Sequence, residues 1–476
     1  MTRLGPLSLI SIIVAMCSFA ARPANAYVVG RYESVTLAEP TGKARSIVVF
    51  FSGRSGLSPD DHAAAQVLAN AGILVVEVDS RHYLHALDKI KEKCHSLAYD
   101  AEILSRQLER EHHFPNYVTP IVAGIGEGGT LAELTLDEAA PGTLTGAISV
   151  DPAQFVASRR PICSILPTTS HRRGFEYGAP IKLPGFWIVA LRHGVHKSDR
   201  EYIMALRKRG APIDVREINP NANLGDTLYS LIEPHLARSQ PETPTPKIQI
   251  SHDLSNLPIV ELPTQTKSNV MAIVLSGDGG WRDIDKTIAE DLQRKGVPVV
   301  GLDTLRYFWS KKTPDQITKV VETLIATFTD KWHANKVALI GYSFGADVLP
   351  FAYNRLPQSM RDQVALVVLL GVSKSADFEI SVGDWLGEPP GPDALPVIPE
   401  ATRIPPQLVQ CFYGEEETNT ACPTLQTHGA EVFKRTGGHH FNGNYGGVAD
   451  IIMAGLKKRT EASTAALRNA ASSSAN

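Results

Sequence analysis

The sequence predicts an α/β protein: two tandem domains of mostly parallel sheet covered by helices, the first a degenerate copy of the second. Three observations carry this. Short, continuous apolar runs alternate with helical patterns in both halves, as expected of strands buried on both faces. The halves repeat one another at a fixed spacing of 224 residues. One stretch of the second half, Lys336 to Phe351, reads as a strand, a sharp turn around a serine, and a helix.

Taken in order, residues 1–26 carry Arg3, an apolar run from Leu7 to Met16 and the small-residue triplet Ala24-Asn25-Ala26. That is the build of a cleavable signal peptide, so the mature protein is expected outside the cytoplasm. Residues 27–238 form the first domain, with strands expected at 46–51, 73–78, 119–125, 147–150 and 186–191 and helices at 60–71 and 96–112. Residues 239–247, with Pro241, Pro244 and Pro246, read as a linker. Residues 248–460 form the second domain, with strands at 270–275, 297–302, 336–340, 364–370, 407–413 and 431–435 and helices at 283–294, 313–331 and 448–458. Residues 461–476 read as a disordered tail.

The repeat is visible in residues. VVFFSG ending at Gly53 matches AIVLSG ending at Gly277, Gly72 matches Gly296, and Asp79 and Tyr83 match Asp303 and Tyr307. A formal charge of −3 with no basic block gives no reason to expect nucleic acid as a partner. Cys17 leaves with the leader. The remaining Cys94, Cys163, Cys411 and Cys422 are even in number and lie two to each half, which favours Cys94–Cys163 and Cys411–Cys422 disulfides. None of them has the close spacing to another Cys or His that a zinc site needs.

The chemistry concentrates in the second half. Gly341-Tyr342-Ser343-Phe344-Gly345 fits the G-x-S-x-G nucleophile elbow, in which glycines on either side of the serine let neighbouring chain pass close by. The corresponding position of the first half is Gly126, which offers no nucleophile, so that domain is expected to be catalytically empty. A serine needs a base and an orienting carboxylate, in the chain order Ser, acid, His. After the strand expected at 407–413 comes Gly414-Glu415-Glu416-Glu417; Glu417 is favoured as the acid, with Glu416 the alternative. After the next strand comes Gly437-Gly438-His439-His440, where His439 is favoured as the base and His440 is the alternative. Two histidines also suggest metal, yet no third ligand is evident nearby. The glycine-rich Ser276 to Trp281 segment would supply one oxyanion donor, the Asp278 N–H, and Phe344 N–H the other. The Asp278 side chain would cap the following helix or meet a cationic group of the substrate. Tyr307, Phe308 and Trp309 are core residues, or else line the cleft or dip into lipid.

Together SGDGGW, GYSFGAD, the GEEE loop with its nearby Cys-Pro, and GGHHF resemble the VirJ/AcvB family of bacterial virulence-associated α/β-hydrolase proteins. The degenerate first copy and the leader are similar to the longer AcvB type. The resemblance implies two α/β-hydrolase-like domains and a periplasmic enzyme that hydrolyses the aminoacyl ester of lysyl-phosphatidylglycerol at the membrane surface without a cofactor. It also implies a link to type IV secretion substrates, and with it a second reading as a periplasmic adaptor. An Asp often found in the acid loop of the family stands here as Asn419.

Overall fold

The computed structural model describes residues 26–27, 30–236, 254, 257–380 and 390–473. Two sheets organise them. The first runs, in spatial order, Ala26–Tyr27, Val35–Ala38, Ile73–Val78, Ser46–Phe51, Ile121–Ile125, Gly146–Val150, Phe186–Arg192 and Asp214–Ile218. The second runs Ile259–Leu262, Val299–Leu302, Val270–Leu275, Lys336–Tyr342, Val364–Leu370, Val409–Gly414 and Glu431–Arg435. Leaving out Ala26–Tyr27, the two orders are the same. In each, the outer strand Val35–Ala38 or Ile259–Leu262 is antiparallel to its neighbour and the remaining pairs are parallel. The chain is therefore an α/β protein with two mostly parallel sheets.

The 224-residue spacing extends beyond the motifs. It relates Val35–Ala38 to Ile259–Leu262, Ser46–Phe51 to Val270–Leu275, and helix Pro59–Asn70 to helix Asp283–Arg294. Asp79 and Asp303 each cap a helix, accepting from His82 N–H and Arg306 N–H. Ser52 and Ser276 occupy equivalent strand ends and make the same bonds, Ser52 Oγ accepting from Ser80 N–H and Ser276 Oγ from Thr304 N–H, both at 3.0 Å.

The central strands explain themselves by composition. Every residue of Ile73–Val78 and Val364–Leu370 is buried, and each buried Val, Leu or Ile contributes roughly 1.5–3 kcal/mol. The edge strands Val35–Ala38, Asp214–Ile218 and Ile259–Leu262 were not legible in the sequence. They are short, and Asp214–Ile218 and Ile259–Leu262 are half-exposed or exposed throughout while Val35–Ala38 is buried only at its ends, so they lack the long apolar run that marks the interior of a parallel sheet.

Both disulfides form, with Cα separations of 4.9 Å for Cys94–Cys163 and 5.6 Å for Cys411–Cys422. The linker expected at 239–247 and nearly all of the expected leader lie outside the described residues. Past residue 460, where a disordered tail was expected, the final helix runs from Tyr445 to Ser473. The alanine-rich sequence there has high helix propensity. Phe308 and Trp309 are buried, which removes the lipid-dipping reading for them: Phe308 packs edge-to-face with Phe344 at 4.9 Å between centroids and Trp309 Nε1 donates to Phe114 O at 3.0 Å. Among the described residues no helix is long and apolar enough to cross a membrane.

Candidate active site

Strand Lys336–Tyr342 ends at Ser343, and helix Phe344–Arg355 begins immediately after it. Ser343 has φ 50 and ψ −121, a conformation that costs a non-glycine residue of order 1–3 kcal/mol and persists only where neighbours fix it. Here they do. Ser343 N–H donates to Leu370 O at 2.8 Å, while Ser343 O accepts from Ala346 N–H at 2.8 Å and Asp347 N–H at 3.0 Å. The flanking glycines are required by space: a Cβ on Gly341 would lie 2.5 Å from Gly345 O, and one on Gly345 would lie 2.4 Å from Leu275 O. Ser343 itself is half-buried.

The structure brings one glutamate and one histidine together. Glu417 Oε1 is 2.5 Å from His439 Nδ1, and Glu417 Oε2 accepts from Gly414 N–H. Glu415, Glu416 and Asn419 are exposed. The Cys411–Cys422 bridge ties the strand before this loop to helix Cys422–Thr427 after it, and Ala421 N–H donates to Val372 O at 3.0 Å. The carboxylate thus sits on a loop closed at both ends. The His439 ring is seated between Tyr342, 5.1 Å away between centroids, and Gly371, whose φ is +62. Gly371 was not singled out from the sequence; its place directly after a buried strand, with a backbone only glycine adopts freely, is the signal that could have marked it.

His440 has a different environment. Its Nδ1 lies 3.3 Å from Tyr342 Oη and 3.4 Å from Tyr445 Oη. Burial, with the neighbouring His439 charge adding to it, lowers its pKa. A neutral ring held by two phenols suits a structural role, whereas a ring whose Nδ1 faces a carboxylate has Nε2 available to take a proton.

The Gly277 to Arg282 turn lies beside the elbow. Gly280 N–H donates to Gly277 O at 3.0 Å, and Thr304 Oγ1 donates to the same carbonyl at 2.6 Å. Among the described residues no hydrogen bond uses the N–H of Asp278 or Phe344, so both donors remain for an oxyanion. Asp278 does not cap the next helix. Arg282 holds the N-cap position of Asp283–Arg294 and makes no side-chain cap. Beneath the turn, burial holds the Asp285 carboxyl well above the usual carboxylate range, with Gly277 N–H offsetting part of that.

A cleft of about 390 Å³ opens here, lined by Asp278, Asp283, Asp285, Tyr342, His439 and His440. Its other wall comes from the first half of the chain, as Tyr99, Glu102, Ile103 and Arg106. Sequence reasoning missed these, because nothing local links positions so far apart in the chain. Another pocket, of about 550 Å³ around Arg110, Lys311 and Asp377, contains none of the candidate catalytic residues. Among the described residues no group of three or more His, Cys, Asp or Glu side chains is placed to hold a metal ion.

The first half keeps the turn with a glycine in the place of the serine. Gly126 has φ 57 and ψ −123, nearly the values of Ser343. The strand equivalent to Val409–Gly414 is Phe186–Arg192, and the next four residues, His193 to His196, carry no carboxylate. After Asp214–Ile218 comes Asn219 to Asn223, with no histidine.

Residues 269–460 match the family model described as bacterial virulence protein (VirJ). No curated protein sequence matches the chain. Similar solved structures include an esterase from Pyrobaculum calidifontis, 17% identical over 44% of this chain and 83% of that one, with a TM-score of 0.30. The Francisella virulence factor BioJ is 12% identical over 44% and 83%, with a TM-score of 0.30. A lipase-esterase related protein from Clostridium acetobutylicum is 18% identical over 42% and 98%, with a TM-score of 0.32.

Proposed function

We propose that the protein is a periplasmic serine hydrolase, a reading supported by the match of residues 269–460 to the family model described as bacterial virulence protein (VirJ). Its substrate is the aminoacyl ester of lysyl-phosphatidylglycerol, and its products are lysine and phosphatidylglycerol. The observation that carries the reading is the Glu417–His439 pair, 2.5 Å apart, on the loops that face the strained Ser343 elbow.

In this reading Ser343 Oγ gives its proton to His439 Nε2 and attacks the ester carbonyl. The oxyanion forms between Asp278 N–H and Phe344 N–H. The bond to the glycerol oxygen then breaks, that oxygen takes the proton from Nε2, and the lipid leaves. Water attacks the aminoacyl-serine with its proton passing to Nε2, lysine departs, and Oγ is reprotonated. Glu417 stabilises the imidazolium and fixes its tautomer. No hydrogen bond from Ser343 Oγ is formed among the described residues; such contacts commonly tighten only with substrate bound. The carboxylates of Asp278 and Asp283 on the cleft wall suit a cationic aminoacyl group, and two disulfides suit an oxidising compartment. Purified protein mixed with vesicles containing lysyl-phosphatidylglycerol should release free lysine, and the Ser343→Ala variant should not. Equal release by both would remove the serine mechanism, and no release by either would remove the substrate.

A further inference from the structure

The Gly277 to Arg282 turn is fixed at one end by its own half of the chain and at the other by the opposite half. Gly277 O is held by Gly280 N–H and Thr304 Oγ1. At the far end Gly279 O accepts from Arg106 Nη2 at 3.3 Å, and Arg282 Nη1 meets both oxygens of Glu102 at 2.7 Å each. Glu102 is 5% exposed and also pairs with Arg106 one helical turn on, so a single buried carboxylate serves two guanidinium groups. With three glycines in six residues, the turn has little stiffness of its own.

The internal repeat shows what was exchanged. At the position 224 residues before Arg282 stands Ser58, which forms a capping box with Asp61 and closes its helix locally. In the second half Arg282 replaces the capping serine and caps nothing, while its side chain reaches across to Glu102. A local tie has been replaced by one between the two halves, at the turn that carries Asp278.

The helix Ala98–Glu111 that presents Glu102 is docked at its other end as well. Arg110 donates to Trp309 O at 2.5 Å and to Ile380 O, and its guanidinium lies 3.9 Å from the centre of the Trp309 ring. Tyr117 packs on the same ring at 5.2 Å.

We propose that the first domain is a working part of the second domain's active site: Glu102 is a positioning residue that, through Arg282, holds the turn so that the Asp278 N–H faces the developing oxyanion. The inference rests on the serine-hydrolase reading above. Loss of the tie lets the turn sample other conformations, so the effect falls on the transition state. Substrate binding by the rest of the cleft persists.

The test uses full-length protein and a short soluble nitrophenyl ester. Glu102→Gln keeps the shape and removes the charge, and it should lower kcat about tenfold with KM changed less than threefold; outright removal of an oxyanion donor costs about 10²–10³. Arg282→Met should cost a similar factor, and the double variant no more than either single one, as expected of partners in one interaction. Arg110→Met, at the opposite end of the same helix, should weaken docking and lower the melting temperature while leaving kcat unchanged. A wild-type kcat in Glu102→Gln, or equal kcat losses in Glu102→Gln and Arg110→Met, would overturn the positioning role. Ser343→Ala is assayed in parallel: turnover surviving there would overturn the serine reading and this inference with it, whereas a dead Ser343→Ala beside an unaffected Glu102→Gln overturns this inference alone.

Discussion

Gly371→Ala separates catalysis from stability at the candidate site. The new Cβ would lie 2.5 Å from His439 Cε1 and 2.8 Å from Nδ1, where carbon contacts normally sit near 3.5–4.0 Å, so the ring must retreat by about 1 Å. A ring at the end of a side chain can move, which keeps the fold intact; alanine at φ +62 costs roughly 1–2 kcal/mol in the left-handed region. The retreat cannot leave the 2.5 Å contact between Nδ1 and Glu417 in place, and a misplacement of this size costs on the order of 10²-fold in rate. Gly429→Ala is the control. Its φ is +91 and its nearest neighbour would be Pro406 Cβ at 3.6 Å, so it meets the backbone penalty without touching the site. Ester hydrolysis and thermal unfolding of both variants are the assay. Similar melting temperatures with a kcat loss confined to Gly371→Ala are expected; a folded Gly371→Ala with wild-type kcat would refute the placement of His439 as the base.

His439→Ala should abolish turnover nearly as fully as Ser343→Ala, by roughly 10³-fold or more, while His440→Ala, whose Nδ1 faces the Tyr342 and Tyr445 hydroxyls and no carboxylate, should be milder; kcat measured for both settles the order. Glu417→Gln should lower kcat by several orders of magnitude and Glu416→Gln should leave it near wild type, since Glu416 is exposed and Glu417 meets the ring. Cys422→Ala should cost roughly 3 kcal/mol by the loop-closure argument and shorten the thermal half-life of activity. Glu133 lies buried near Asp137, and burial, with the Asp137 charge adding to it, holds its carboxyl well above the usual range. The folded state keeps this proton after the unfolded state has lost it at about pH 4.3, so stability is full below that pH and declines as pH rises toward the raised native value, by up to about 1.4 kcal/mol per pH unit. Unfolding of Glu133→Gln at pH 5 and pH 7 should show a flatter decline than wild type.

Much of this was legible because the information is local. The elbow needs glycines at fixed distances from a serine, and the central strands need unbroken apolar runs; both are properties of adjacent residues. The order Ser343, Glu417, His439 follows from the sheet, so chain position alone narrowed the acid and base to two neighbouring pairs. Within each pair the sequence favoured Glu417 and His439, and the structure adds that these two side chains meet while Glu416 is exposed. Glu102 and Gly371 were invisible for two reasons. The first acts across 180 positions of sequence on Arg282, and the second matters for a side chain it lacks. The outer strands Val35–Ala38, Asp214–Ile218 and Ile259–Leu262 escaped because each is too short or too polar to give a long unbroken apolar run.

The central claim is that Ser343 is the nucleophile and that the first domain has none. The most direct measurement is the intact mass of the full-length protein after treatment with a fluorophosphonate that esterifies activated serines, followed by mapping of the labelled peptide. A single adduct on Ser343, absent from Ser343→Ala and slowed in His439→Ala, is the expected result. An adduct that persists in Ser343→Ala, or one that maps within residues 27–238, would contradict it.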